Sequence, residues 1–261
     1  MSRTLLQFRV FITNSLLEAL RNKTLYAVLA AALLTMGAAS TFGALSLHQD
    51  ERIFNNLVFF ANMLFLVALS IYQGVTSLQR EIEHKTIFTV LSKPVTRGSF
   101  LVGKYVASAA IIAVCALLMF GLKAGAALLM GYDLTATHAA AYFAAYLQLA
   151  IVVALAFFFA SFSTPLLSAL FTFCLFLIGS LTPQIEEAAR SFAADGNPVY
   201  LLLDSILYVI PDLEKLNLSY ELTHQIAVPG SYLFNAVIYT ATVITFLLGA
   251  AYLLFRRRDF A

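Results

Sequence analysis

The charged residues with the most informative spacing lie in one stretch, residues 79–105. It reads Gln-Arg-Glu-Ile-Glu-His-Lys-Thr-Ile-Phe-Thr-Val-Leu-Ser-Lys-Pro-Val-Thr-Arg-Gly-Ser-Phe-Leu-Val-Gly-Lys-Tyr. Ile87, Val90 and Leu91 fall on one side of a short helix, which Pro94 must end because the residue before a proline is disfavoured from helical angles. Charged residues surround this apolar face: Glu81, Glu83, Lys85, Lys93 and Arg97. Such a helix can seat its apolar face in a partner's groove while its charges fix the register; an ordinary solvated loop is the open alternative.

No pattern in the chain indicates catalysis or a bound metal. Residues 98–104 match the GxxxxGK phosphate-binding pattern, but Tyr105 stands where Ser or Thr would hold Mg²⁺, and an apolar run follows. The histidines at 48, 84, 138 and 224 lack metal-ligand spacing, and Cys115 and Cys174 lie in separate apolar runs. We therefore predict no catalytic residue, no metal and no cofactor in this chain, and we expect any ATP and Mg²⁺ to be bound by another subunit.

The elements that position this segment are membrane-spanning helices. The chain is 61% hydrophobic and 11% charged, far from the average soluble domain. Six apolar runs are about long enough to cross a hydrocarbon core of roughly 30 Å, at 25–46, 57–78, 106–130, 139–161, 166–182 and 232–255. They show no alternation of apolar and polar residues, so the predicted fold is an all-α membrane protein with six transmembrane helices.

The distribution of charge predicts which ends face the cytoplasm. Twelve of the 16 Lys and Arg residues fall on one side if the N-terminus is cytoplasmic, as the positive-inside rule requires. With six spans both termini are then inside, and the expected location is the cell inner membrane. The net charge of +2 includes no basic patch that would suggest nucleic acid.

Two segments outside the spans have predicted structure of their own. Residues 1–24 carry apolar residues at three- and four-residue steps and predict an amphipathic interfacial helix, with a frayed cytoplasmic tail as the alternative. Residues 25–261 form the transmembrane domain, with a cytoplasmic segment at 79–104 and an external loop at 183–231. Within that loop, Val199–Val209 is mostly apolar, with one Asp204, and is too short to cross. We expect a re-entrant or interface-lying helix there, or a capping external subdomain.

Four polar side chains inside the predicted spans are candidates for a translocation pathway. Asn62, Ser70 and Gln73 lie in the second span, with Asn62 and Gln73 three turns apart on one face. They can line a path or bond neighbouring helices, and we favour the packing role. Lys123 lies about 10 Å from the outer end of the third span, so it is either functional or extends its ammonium group to the interface.

Several stretches together resemble one family. Residues 81–87, 91–97 and 100–105, the N-terminal Leu-Glu-Ala-Leu-Arg-Asn-Lys at 17–23, the Ile-Pro-Asp-Leu-Glu-Lys-Leu at 210–216 and the C-terminal Phe-Arg-Arg-Arg-Asp-Phe at 255–260 are similar to the permease subunits of type-2 ATP-binding-cassette exporters. The resemblance covers the whole chain in the family's order.

The resemblance implies a permease that dimerises, in a homodimer as our first expectation, and sits on a dimer of cytoplasmic ATPase subunits. The residues around 83–91 would be the coupling helix and residues 1–24 the elbow helix. The first and fifth spans would meet their dimer mates, with the path between protomers. The alternative is a non-transporting subunit that relays ATPase motion to a periplasmic partner. A passive channel or membrane enzyme would instead work as the purified chain alone.

Overall fold

The computed structural model describes residues 30, 33–39, 41, 50–83 and 97–257, and all the regular structure within them is helical. The eight helices that we number are α1 (Asp50–Glu83), α2 (Arg97–Met130), α3 (Ala136–Ala160), α4 (Pro165–Ser180), α5 (Thr182–Ala194), α6 (Val199–Val209), α7 (Ser219–His224) and α8 (Gly230–Arg257), with a 3₁₀ turn at Glu214–Leu216. The predicted helix at 1–24 lies outside the described residues. So do residues 84–96, the central part of the predicted cytoplasmic segment at 79–104.

The long helices coincide with the apolar runs of the sequence. Within the described residues, α1, α2, α3 and α8 are each long and apolar enough to cross a membrane. They match the runs at 57–78, 106–130, 139–161 and 232–255. α4 matches the predicted fifth span within two residues, but it bends by 64° into α5, so the pair is either one broken span or a re-entrant loop. The described part therefore supports an all-helical membrane protein with four or five crossings.

Only a short part of the predicted first span is described. Residues 33–39 are helical, and Met36 and Ala39 are buried against Phe54 and Val58 of α1 and Ala127 of α2. This fragment therefore packs beside the halves of α1 and α2 that the charge distribution predicts to face outward; we call these the outer halves and the opposite ones the inner halves. The full extent of the span at 25–46 stays a prediction.

α3 is the central helix of the bundle. It packs against α1, α2, α4 and α8, and most of its side chains are buried, from Ala141 near its start to Ala160 at its end. A helix that is apolar on every side is expected where neighbours surround it. The predicted membrane span at 139–161 is thus the core of the bundle, and most of the exposed large apolar side chains belong to other helices.

α1 and α3 approach each other closely at Gly74. A Cβ atom added there would lie 2.5 Å from Cβ of Ala156, well inside van der Waals contact. Small residues at a crossing let two membrane helices pack backbone to backbone. The contact fixes the inner half of α1 against α3.

The segment between α6 and α8 folds back into the outer end of the bundle. Leu213, Leu216, Leu218 and Leu222 are all buried, at 2% exposure or less. The Leu213 N–H donates to the carbonyl of Gly179 at 3.0 Å, where α4 ends. The external loop is therefore divided: residues 210–224 belong to the core, whereas α6 packs on α5 and contains no buried residue.

Candidate functional site

The predicted coupling segment lies between the inner ends of α1 and α2. α1 continues without a break to Glu83, so Glu81 and Glu83 lie in its last turn, and Arg97 is the first residue of α2. The other predicted coupling residues, Lys85, Ile87, Val90 and Leu91, lie outside the described residues. The role of the whole set therefore stays a prediction.

A buried hydrogen bond fastens the inner end of α1 to the turn between α3 and α4. Gln79 is 6% exposed, and its side-chain amide donates to the carbonyl of Ser163 at 2.8 Å. The same turn is closed by Ser161, whose hydroxyl donates to the carbonyl of Phe158. Pro165 follows at the first position of α4, where a missing N–H costs nothing. The head of α4 is thereby tied to the end of α1.

Sequence reasoning missed Gln79 as a site residue. Its signal was available, because it is the last uncharged polar residue before the charged run begins at Arg80. A polar side chain at the edge of an apolar helix seldom identifies its partner, however, and Ser163 lies 84 positions further along the chain.

Tyr105 joins α2 to α3 near the same level. Its hydroxyl donates to the carbonyl of Ala150 at 3.2 Å, and its ring meets that of Phe157 edge to face. Phe100 and Leu101, at the beginning of α2, are also buried. The inner halves of α1 and α2, which flank the coupling segment, are therefore both anchored on α3.

The candidate pathway residues lie inside the protomer. Asn62 is 1% exposed, and its amide donates to the hydroxyl of Tyr142 on α3 at 2.8 Å. Ser70 is fully buried and Gln73 is half-buried. The Asn62 bond is the kind of interhelical contact that the packing interpretation expects.

Lys123 is fully buried, and its ammonium group has no hydrogen-bond partner among the described residues. Its side chain is 0% exposed in this bundle, and the choice between a functional role and an ammonium group extended to the interface stays a prediction. Asn55 of α1 and His138 of α3 are also buried near the outer end, with Asn55 Oδ1 and His138 Nε2 3.4 Å apart. Buried polar groups from α1, α2 and α3 therefore lie in the outer part of the bundle.

Sequence reasoning missed Asn55, His138 and Tyr142. A weak signal existed, since Asn55 and Asn62 are two turns apart on one face of α1, and His138 and Tyr142 are one turn apart on α3. These spacings align residues within each helix. They do not identify which helices meet.

A second polar group lies outside the membrane-spanning helices, around the 3₁₀ turn. Asn217 donates to both carboxylate oxygens of Glu214, at 3.0 and 3.2 Å, and Lys215 pairs with Asp212 at 3.3 Å. Burial raises the pKa of Glu214, the carboxylates of Asp212 and Glu221 add to the rise, and the Asn217 bond opposes it. Over the described ranges, no three His, Cys, Asp or Glu side chains converge on a metal position.

Long apolar helices packed around a buried α3 define a multi-pass α-helical membrane protein. The chain belongs to the family of ABC-2 family transporter proteins, whose family model matches residues 3–260. None of the curated proteins is significantly similar to it. The family match over residues 3–260 confirms the resemblance to type-2 ATP-binding-cassette permeases. Members of this family are membrane transport components, not catalysts themselves, and work with an ATPase subunit.

Proposed function

We propose that this chain is the permease of an exporter driven by a separate cytoplasmic ATPase dimer. The observation that carries the proposal is the family match over residues 3–260. ATP and Mg²⁺ would be held by the ATPase, and the chain would lie in the cell inner membrane with both termini in the cytoplasm. Two copies of the permease, which we expect to be identical, would enclose the path.

The contacts at the inner end support a lever mechanism. α1 is 34 residues long, and it leads directly into the segment that would dock on the ATPase. Its inner half is held to α3 by the close approach at Gly74 and to the head of α4 by the Gln79–Ser163 bond. Packed helices move as units rather than deforming continuously. A push on residues 83–91 would therefore tilt α1 together with α3 and α4.

Disrupting the docking segment tests this proposal. The double variant Glu83→Ala with Leu91→Ala removes one charge and one apolar contact from the predicted coupling helix. We expect the amount of co-purified ATPase to fall about tenfold or more, because a few anchor residues carry most of the free energy of an interface. The measurement is pull-down of the co-expressed ATPase, together with the ATPase rate of the purified complex.

The control variant makes the same two changes in the predicted external loop, at Glu186 of α5 and Leu202 of α6. Both side chains are exposed, Glu186 at 52% and Leu202 at 67%. Glu186→Ala with Leu202→Ala should leave the ATPase bound at the wild-type level. Equal retention by the two double variants would exclude the assignment of residues 83–91 as the coupling helix.

One observation favours the second candidate function, a subunit that relays ATPase motion to an external partner. α6 exposes large apolar side chains, with Leu202 at 67% and Tyr208 at 92%. An apolar surface of this kind can bind a periplasmic protein as well as lipid. Replacing residues 183–209 with a short linker, while keeping the core segment 210–224, separates the two functions. A relay subunit would lose a co-purifying external protein, whereas an exporter would keep a substrate-stimulated ATPase rate.

A further inference from the structure

Directly after α7, at the outer end of the bundle, lies a segment that we call the outer cap, residues 225–228. Gln225 ends α7 with φ 53°, and it is the one non-glycine residue with positive φ in the described part of the chain. Its side-chain amide donates to Glu51 Oε1 at the start of α1. The next residue, Ile226, accepts a bond at its carbonyl from the hydroxyl of Thr137 on α3, at 3.1 Å. A non-glycine residue keeps this strained conformation only where its surroundings hold it.

Beneath the cap lies Lys123, buried and without a hydrogen-bond partner among the described residues. Ala127, one turn nearer the outer end of α2, packs against Phe54 and Val58 of α1. The Lys123 side chain therefore begins about one turn deeper than the level of Phe54. Glu51 precedes Phe54 by three residues and Val58 by seven, so helical periodicity places it on the same face of α1, one turn nearer the outer end. The flexible four-carbon stem of Lys123 can extend toward it.

The other polar groups near Lys123 supply no negative charge. His138 of α3 accepts the backbone N–H of Thr135 at Nδ1, at 3.2 Å. Its neutral tautomer therefore carries the proton on Nε2, facing Asn55 Oδ1. Both side chains are uncharged and already paired. An ammonium buried among membrane helices is stabilised chiefly by an anion, so Glu51 is the carboxylate placed to provide one.

We propose that Glu51 exchanges between two partners, Gln225 and Lys123. In the described state its carboxylate accepts the Gln225 amide and holds the outer cap on α1. In the second state the carboxylate turns inward, pairs with the Lys123 ammonium and releases the cap. No covalent bond changes; one charge-assisted hydrogen bond is exchanged for one ion pair. Lys123 thus acts as the release partner of a latch at the outer mouth.

The exchange is a property of this chain alone. Its use in transport rests on the proposed function, because α1 carries Glu51 at one end and enters the predicted coupling segment at the other. The test therefore uses the full purified chain without any ATPase. Failure of the ATPase pull-down above would leave the latch untouched, and failure of the latch would leave the pull-down untouched.

The test is hydrogen–deuterium exchange of the cap, residues 225–228, measured relative to the core of α3, residues 144–156. We expect Lys123→Met to slow cap exchange about threefold or more, because the released state loses its ion pair, and Gln225→Met to accelerate it by a similar factor. Glu51→Gln keeps an acceptor for Gln225 but loses the charge that attracts Lys123, so it should also slow exchange. In the Glu51→Gln background, Lys123→Met should have no further effect.

A merely structural role predicts a different pattern. If Lys123 and Glu51 only stabilised the closed bundle, their removal would accelerate cap exchange, and that result would overturn the latch. Gln148→Met is the matched control, since Gln148 is a buried polar residue of α3 whose Oε1 has no partner within the described ranges. A slowing by Lys123→Met no larger than that of Gln148→Met would also overturn it. If Lys123→Met does not fold, the Glu51→Gln variant decides between the two roles. Slower cap exchange supports the latch, and faster cap exchange overturns it.

Discussion

Adding a methyl group at Gly74, where α1 crosses α3, tests whether this crossing sets the geometry of the inner halves of the two helices. In Gly74→Ala the new Cβ would lie 2.5 Å from Cβ of Ala156, whereas carbon atoms pack at about 3.5–4.0 Å. The Ala156 Cβ is bonded directly to backbone and cannot swing aside, so the helices must separate by about 1 Å.

The expected cost follows from this separation. Overpacking typically costs about 1–3 kcal/mol, and we take the upper half of that range because the opposing atom is rigid. Replacing glycine by alanine in a helix returns about 1 kcal/mol. The net loss of about 1–2 kcal/mol should lower the melting temperature by about 2–8 °C in a chain of this size. Thermal melting of the purified chain, followed by circular dichroism, measures it.

Two comparison variants make this prediction refutable. Gly121→Ala adds the same methyl group in α2, where nothing lies within 4 Å, so it should melt at or above the wild-type temperature. The swap Gly74→Ala with Ala156→Gly leaves the carbonyl of Val153 as the nearest contact, at 3.3 Å, and should recover most of the loss. The reasoning is refuted if Gly74→Ala melts like Gly121→Ala, or if the swap is no more stable than Gly74→Ala.

Two further predictions concern polar groups. Because burial raises the pKa of Glu214, the folded chain holds this proton to higher pH than the unfolded chain; stability should fall as pH rises from about 4.3 through the raised pKa. Glu214→Gln should remove that slope and melt above the wild type at pH 7, and identical melting-versus-pH curves would contradict this. In a double-mutant cycle, Asn62→Leu and Tyr142→Phe should show a coupling energy of about 0.6 kcal/mol, the average for interhelical hydrogen bonds in membranes. Strictly additive effects on unfolding would argue against a packing role for Asn62.

Much of the fold was predictable because membrane solvation constrains sequence strongly. A backbone in lipid must satisfy its own hydrogen bonds, so a long apolar run predicts a helix. The run at 166–182 predicted α4 within two residues, and the Thr-Pro at 164–165 predicted its start. The bend of 64° between α4 and α5 was not predicted, because hydropathy reports composition and not direction.

In the external loop, hydropathy predicted a helix but not which residues are buried. Val199–Val209 was predicted as a helix too short to cross, and α6 has these bounds. The burial of Leu213 and Leu222 in the bundle was not predicted, since their apolar character alone does not distinguish a core segment from an exposed one. Contact with the end of α4 at Gly179 decides it.

Composition, run length and the ordered family motifs were enough to predict the class of protein, because they are local properties that hold in any packing. The sequence also located the charged segment at 79–104, since charge between two apolar spans cannot remain in lipid. Which polar groups meet became clear from the packed helices alone: Gln79 with Ser163, Asn62 with Tyr142, and Glu51 with Gln225. Helical periodicity fixes the face on which a side chain lies, but the partner across the interface depends on helix order and depth, which come from packing around α3.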